Sequence, residues 1–435
     1  MDHARSSDPF VQRQLDRLAV LGPGADILGL HRITRLLDRV GDPHRALPPV
    51  LHVAGTNGKG STCAFLRGAL EAEGYRVHAY TSPHLVRFNE RIRIAGTLID
   101  DDMLGRLLAE VLDAGGDIGA SFFEVTTAVA FLAFARAPAD ACVIEVGLGG
   151  RLDATNVIPT SLVGGIARLG IDHQVFLGDT IEAIAAEKAG IARNGVPLVT
   201  LDQPDPCMSA IEHVASATGA VLKRQGAEWR FERSDGRLIL NDDAGRIELP
   251  LPSMPGVHQH ENLALAAMML RVQHHLPVSP EAIASAARSV RWPARMQLLG
   301  AGPLTAALPA GSRIVIDGAH NLNAAQAAAD WLAMQPEKPA LILGVLANKD
   351  AAGIIDAIAP HIEQVLAVPV PGHACHPPDM LAGLARNGGL VAESAADVPA
   401  ALAALAASGA PVDALVLGSL YLAGEVLRAN DELPQ

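Results

Sequence analysis

Residues 48–74, "PPVLHVAGTNGKGSTCAFLRGALEAEG", constrain this chain more than any other stretch. "ALPPVLHVAG" is a short apolar run that predicts a buried strand. "STCAFLRGALEAEG" then gathers Phe65, Leu66, Ala69 and Leu70 on one helical face, with Gly74 as a stop. Between them lies a glycine loop that departs from the common phosphate-loop spacing G-x-x-x-x-G-K-[ST]. Gly60 follows Lys59, the hydroxyls come at Ser61 and Thr62, and the residue five before Gly58 is Val53. The chemistry survives the altered spacing. Gly55, Gly58 and Gly60 let backbone N–H groups turn toward an anion, the helix start adds partial positive charge, and Lys59 adds a full one.

Downstream, apolar runs alternate with helical patterns. "YRVHAY" leads into "TSPHL", "ADACVIEV" into "GLGGRLDATN", "TSLVGGIARLG" into "IDHQ", and "GVPLVT" into "LDQPD". This alternation predicts an α/β fold built on a mostly parallel sheet with helices on both faces. Residues 1–46 read as helical, 220–250 as hairpins with D-G turns, and "HENLALAAMMLRVQHH" as a helix. "SVRWPARMQLLG" reads as a junction, after which "RIVIDGAHN", "ALILGVLANKD", "QVLAVPV" and "ALVLGSLYLAG" form a second, smaller, Rossmann-like α/β series. The boundary falls near residue 297, giving domains 1–296 and 297–435, which suits a chain of 435 residues that is 49% hydrophobic.

The formal net charge is −13 and no basic run stands out, so no nucleic-acid partner is expected. An acidic protein that handles a nucleotide is expected to use a divalent cation and a few placed cations. Four sparse cysteines without a C-x-x-C pair indicate a reduced, cytoplasmic setting. A polar N-terminus and no apolar run of ~18 residues predict neither a signal peptide nor a membrane span.

In parallel sheets ligands sit beyond the carboxyl ends of the strands. Lys59, Ser82, Glu145 and His173 each fall at or just past the end of a different expected strand, which points to one composite site. "PGHACHPPD" (371–379) offers His373, Cys375, His376 and Asp379, but on a single proline-rich loop without the second half a zinc site needs.

Several longer stretches resemble the folylpolyglutamate synthase/dihydrofolate synthase family of the Mur ligase superfamily. They are "GTNGKGST", "TSPHLVRFNERIRI", "FFEVTTAVAF", "IEVGLGGRLDATN", "IDHQVFLGDTIEAIAAEKAGI", "HENLALAA", "WPARMQ", "IDGAHN" and "GSLYLAGEVL", in the expected order over about residues 25–425. The resemblance implies that the variant loop is that superfamily's ATP loop. It also implies an ATP-dependent ligase that phosphorylates the free carboxylate of dihydropteroate or of a folate's terminal glutamate. The amine of L-glutamate then attacks the acyl phosphate, giving ADP and phosphate.

By the same resemblance Thr56, Asn57, Gly58, Lys59, Gly60 and Ser61 wrap the β- and γ-phosphates. Ser82 and Glu145 ligate a first Mg2+, and His173 belongs to a second metal position. Lys188 matches a lysine the family carbamylates, although "AAEKAGI" alone reads as a Glu187–Lys188 helix surface. Asn262, Arg295 and Asp317 hold the nucleotide around the domain junction. His320 and Asn321 help place glutamate or the acyl phosphate, with Leu322 where the family often has proline. Phe123, Asp153 and the segment Ala25, Asp26, Ile27 and Leu28 match pterin-pocket positions. A monomer is expected.

Other readings fit part of the pattern. A folylpolyglutamate synthase alone, or another Mur-type amide ligase, would share the ATP loop. A peptidoglycan Mur ligase typically carries a uridine-nucleotide domain ahead of that loop, and here 54 residues precede Gly55. A non-catalytic nucleotide-binding module would have lost metal or junction residues, yet Lys59, Ser82, Glu145, His173, Asn262, Arg295 and Asp317 are all present.

Overall fold

The computed structural model describes residues 5–21 and 28–435. They divide into two compact units. One runs through Ser253 and includes Gln259–Arg291; the other comprises Met254–His258 and Trp292–Gln435.

The first unit holds β1 (Val50–Ala54), β2 (Val77–Tyr80), β3 (Ile92–Ile94), β4 (Thr97–Leu98), β5 (Ala141–Glu145), β6 (Val163–Ile166), β7 (Pro197–Thr200) and β8 (Val221–Arg224) in one sheet of order β4-β3-β2-β5-β1-β6-β7-β8. All neighbours from β2 to β8 pair parallel, while β3 and β4 add an antiparallel edge. β1 is buried along its whole length, as a central parallel strand covered on both faces must be.

Alternation along β1 sorts the covering helices. Val50 joins Tyr80, Cys142 and Ile144 in a cluster with Leu36, Leu108 and Phe131, from the helices His31–Arg39, Asp101–Gly115 and Phe122–Arg136. On the opposite face Gly165 lies so close to Met269, in the helix His258–Val272, that a Cβ would stand 2.3 Å from the sulfur. The expected hairpins form a separate antiparallel sheet of β9 (Trp229–Ser234), β10 (Arg237–Asp242) and β11 (Gly245–Pro250). Its first turn uses Asp235 at φ 49° and Gly236 at φ 70°, the left-handed pair that a tight D-G hairpin requires.

The second unit holds β12 (Gln297–Leu298), β13 (Arg313–Ile316), β14 (Ala340–Leu343), β15 (Gln364–Ala367), β16 (Val391–Ser394) and β17 (Asp413–Leu417), ordered β12-β13-β17-β14-β15-β16. All pairs are parallel except β12 with β13. Its core packs Leu341, Leu343, Leu415 and Leu417 against Leu332, Ile354, Ile358 and Leu381.

Candidate active site

Chain order reverses about β1. β2 and β5 lie to one side of it and β6 to the other, so a crevice opens beyond its carboxyl end. The glycine loop leaves β1 at that point. Gly55 has φ 152° and lies against Ala167, whose Cβ would be 2.9 Å from an added Cβ. Gly58 has φ 86°, and a Cβ there would stand 2.2 Å from Asn262 Oδ1. Conformation and space thus both demand glycine at these two positions.

The Thr56 and Asn57 amides donate to the Arg168 carbonyl at 3.0 and 3.1 Å, and Thr56 Oγ1 exchanges hydrogen bonds with the Gly170 backbone. The helix Lys59–Ala72 begins its ladder with Thr62 N donating to Gly58 O at 2.9 Å, so the Lys59, Gly60 and Ser61 amides precede it. Beside them Ser61 Oγ and Thr62 Oγ1 are buried without a hydrogen-bond partner. Lys59 Nζ donates to Thr56 O at 3.3 Å and remains half-buried. Buried hydroxyls cost stability unless a partner completes them. Unspent hydroxyls, first-turn amides and a lysine form the donor set that phosphate oxygens and their cation complete.

β2 and β5 are parallel neighbours, with Tyr80 opposite Ile144, so the residues after them arrive together. Ser82 N donates to Glu145 Oε2 at 3.1 Å, and the Glu145 carboxylate is buried. Ser82 and Glu145 offer hydroxyl and carboxylate oxygens, the ligand type Mg2+ takes. Asn262 is buried and donates through Nδ2 to Gln259 Oε1 at 3.0 Å. His173 stands exposed at φ 53°, three residues beyond Gly170.

Lys188 is the largest departure from the sequence reading of a helix surface. It is 4% exposed, and its Nζ donates to the Gly55 carbonyl at 2.9 Å. Burial, reinforced by the charge of Lys59, pushes its pKa down to about 7. The signal is hidden because its helix, Ile181–Ala189, has small residues on several sides and Glu187 beside it, paired with Arg151.

The expected pterin positions gather on the loop after β5. The Phe123 ring covers Gly147 so closely that a Cβ there would stand 2.3 Å from Cζ. The Asp153 carboxylate accepts from Leu148 N at 2.8 Å, from Thr155 N at 3.0 Å and from Thr155 Oγ1, closing the loop on itself. Burial pushes the Asp153 pKa up, against hydrogen bonds from Thr155, Leu148 and Gly147. Leu28 is half-buried, whereas Ala25, Asp26 and Ile27 lie outside the described residues.

In the second unit the Asp317 carboxylate accepts from Met296 N and Ala319 N, each at 2.8 Å. Arg295 Nη1 donates to Ala294 O at 2.9 Å and packs over Gly318. His320 Nδ1 donates to Gly318 O at 2.8 Å, and Asn321 caps the helix Leu322–Leu332 through Ala324 N at 2.9 Å. The 371–379 loop spends its polar groups on folding: His376 Nε2 lies 2.9 Å from the Lys349 carbonyl, and Cys375 Sγ accepts from Val370 N.

With this geometry in place, comparison with known proteins is decisive. Residues 294–420 match the Mur ligase, glutamate ligase domain. The Escherichia coli dihydrofolate synthase/folylpolyglutamate synthase is 35% identical over 408 residues, covering 93% of this chain and 92% of that one. The chain belongs to the folylpolyglutamate synthase/dihydrofolate synthase family. Escherichia coli FolC, solved in complex with DHPP and ADP, superposes with a TM-score of 0.87 at 32% identity, covering 98% of each chain. The bifunctional synthase of Yersinia pestis, solved with AMPPNP and Mn ion, gives 0.84 at 32% identity, covering 97% of this chain and 98% of that one. As a family member the chain is an ATP-dependent ligase that adds glutamate to a folate-type carboxylate, and it uses a divalent cation.

Sequence reasoning did not find the Arg168 carbonyl, the burial of Lys188, or the approach of Asn262 to Gly58. These depend on topology, and no local pattern announces them.

Proposed function

We propose that this chain joins L-glutamate both to dihydropteroate and to the terminal γ-carboxylate of reduced folates. Residues 1–296 would serve ATP and the pterin substrate, and 297–435 the glutamate-ligase role. The carrying observation is the pair of buried, unpartnered hydroxyls of Ser61 and Thr62 beside Lys59. The segment Thr56–Ser61 takes the β- and γ-phosphates, and Lys59 stabilises the negative charge of the transferring phosphoryl group. Asn262, Arg295 and Asp317 serve the nucleotide, and His320 the glutamate or acyl phosphate. Phe123, Asp153 and Ala25–Leu28 border the pterin.

Ser82 and Glu145 hold the first cation, with His173 at a second position. A bound divalent cation there supplies charge neutralisation to the phosphate oxygens. In the first step a substrate carboxylate oxygen attacks the γ-phosphorus and the bond to ADP breaks. In the second the glutamate amine attacks the acyl carbon, phosphate leaves with the C–O electron pair, and the amine loses a proton.

Lys188 takes up CO2 as a carbamate. The ammonium first gives up one proton; the freed Nζ lone pair bonds the CO2 carbon as a C=O π pair moves onto oxygen, and Nζ then loses a second proton, so a cation beside Lys59 becomes a carboxylate beside the metal positions. A pKa near 7 leaves a reactive neutral fraction at ordinary pH. With 13C-bicarbonate, wild-type protein should show a carbamate carbon resonance that Lys188→Arg lacks. An identical spectrum in both would remove the modification. A cytoplasmic monomer is the form in which the protein is proposed to work. Among the described residues all four cysteines are free and no helix is long and apolar enough to cross a membrane.

ADP release tests the reading directly. It should require glutamate together with dihydropteroate, and in a separate assay glutamate together with tetrahydrofolate. Turnover with one pterin substrate alone would reduce the protein to a single synthase, and turnover with neither would sink the proposal.

A further inference from the structure

His52 sits on β1, three residues before Gly55, and plays no part in the chemistry above. Its imidazole is 1% exposed, with Nε2 2.9 Å from Thr155 Oγ1. Thr155 is fully buried and its hydroxyl also touches Asp153 Oδ1. The proton directions follow from counting. Asp153 receives N–H donors from Leu148 and Thr155, so its carboxylate acts as an acceptor. The single Thr155 hydroxyl proton is therefore spent on Asp153, and the proton between His52 and Thr155 must come from Nε2. The other ring nitrogen, Nδ1, is buried and has no partner. As a bare lone pair it fits the same tautomer. Burial keeps the ring neutral, with its pKa pushed down to about 3.

A leucine or valine would fill a central strand position without leaving a buried nitrogen unsatisfied. The imidazole instead reaches 103 residues along the chain to the loop on which the Phe123 ring rests. We propose that His52 is a positioning residue for the pterin substrate: through its Nε2–H it fixes Thr155, Thr155 fixes Asp153, and the closed loop Gly147–Thr155 presents a rigid wall beneath Phe123. The inference rests on the pterin-wall reading of Phe123 and Asp153. On this view the relay fixes Asp153 at the pterin's border, and Phe123 rests on the same loop at Gly147.

Steady-state kinetics on the full chain separate the possibilities. The KM for dihydropteroate, the KM for ATP and kcat are measured for His52→Leu, His52→Gln, Thr155→Val and Phe123→Ala. Loss of one buried hydrogen bond in the relay should raise the dihydropteroate KM about tenfold in His52→Leu and Thr155→Val, while the ATP KM stays within about twofold. His52→Gln keeps an N–H at the Nε2 end of the side chain and should recover most of the loss, which a volume effect would not predict. Phe123→Ala should raise the same KM by about tenfold or more. If Phe123→Ala raises it while Thr155→Val and His52→Leu do not, the relay is overturned and the pterin wall stands. If Phe123→Ala leaves it unchanged, the wall is misplaced and the relay's role falls with it. Should His52→Leu fail to fold, the near-isosteric Thr155→Val decides alone.

Discussion

The strand-end loops of the two units use similar residues in opposite ways. After β13 in the second unit, Asp317 gives one carboxylate oxygen to Met296 N and the other to Ala319 N, and Asn321 caps the helix that follows. That loop is completed by its own backbone. After β1 in the first unit, the Ser61 and Thr62 hydroxyls are buried and unpartnered, and Lys188 is buried with a backbone carbonyl to receive its proton. A loop with unspent polar atoms has hydrogen bonds still to give to a ligand. A loop whose carboxylate is already held by two backbone amides keeps its shape without a ligand.

The sharpest way to break this contrast is Lys59→Ala. Lys59 packs no core and makes a 3.3 Å contact to its own loop, so the fold should be unaffected. Turnover at saturating ATP should fall by about 10²–10³. Near-normal turnover would mean that the charge at this loop is not used on the phosphoryl group.

Next comes a matched pair. Ser61→Ala removes a hydroxyl that has no partner, so thermal stability without ligand should hold within about 0.5 kcal/mol while kcat/KM for ATP drops about tenfold or more. Asp317→Ala strands two buried N–H groups and should destabilise its unit by ~1–3 kcal/mol. Equal stability losses in the two variants, read by denaturant unfolding, would erase the distinction.

Read one pH unit at a time, the smallest effect is the titration of His52. The His52 ring takes its proton near 6.5 when unfolded and near 3 when folded. Between those values the unfolded chain binds more protons, so stability is present above 6.5 and is lost as pH falls, by up to about 1.4 kcal/mol per pH unit. His52→Gln should flatten that part of the acid limb in denaturant titrations at successive pH values. An unchanged slope would mean that the ring is not held neutral.

Much of this was legible in the residues themselves. The run "VLHVAG" and its glycines announce a strand and an anion loop, because burial and left-handed backbone conformations are local demands. Asp235–Gly236 announces a hairpin for the same reason. The N-terminal helical reading resolves into Pro9–Leu21 and His31–Arg39. What escaped depends on distance along the chain. Asn262 lies 204 positions from Gly58, and their contact exists only because the helix His258–Val272 crosses the face of β6. Lys188 escaped because a helix of alanines beside one ion pair looks the same from sequence whether it faces water or the core.

Arg168 illustrates a kind of importance that side-chain substitution is blind to. Its guanidinium is tied to Glu261 and to the Asp202 carbonyl, while its own carbonyl receives both Thr56 N and Asn57 N. Any amino acid placed at 168 would bring the same oxygen. An alanine scan would therefore register the loss of the Glu261 pair and score the position as a modest surface ion pair, leaving the ATP loop's tether intact and uncounted. Only a change to the backbone itself, such as esters replacing the amides at both Thr56 and Asn57, would cut it.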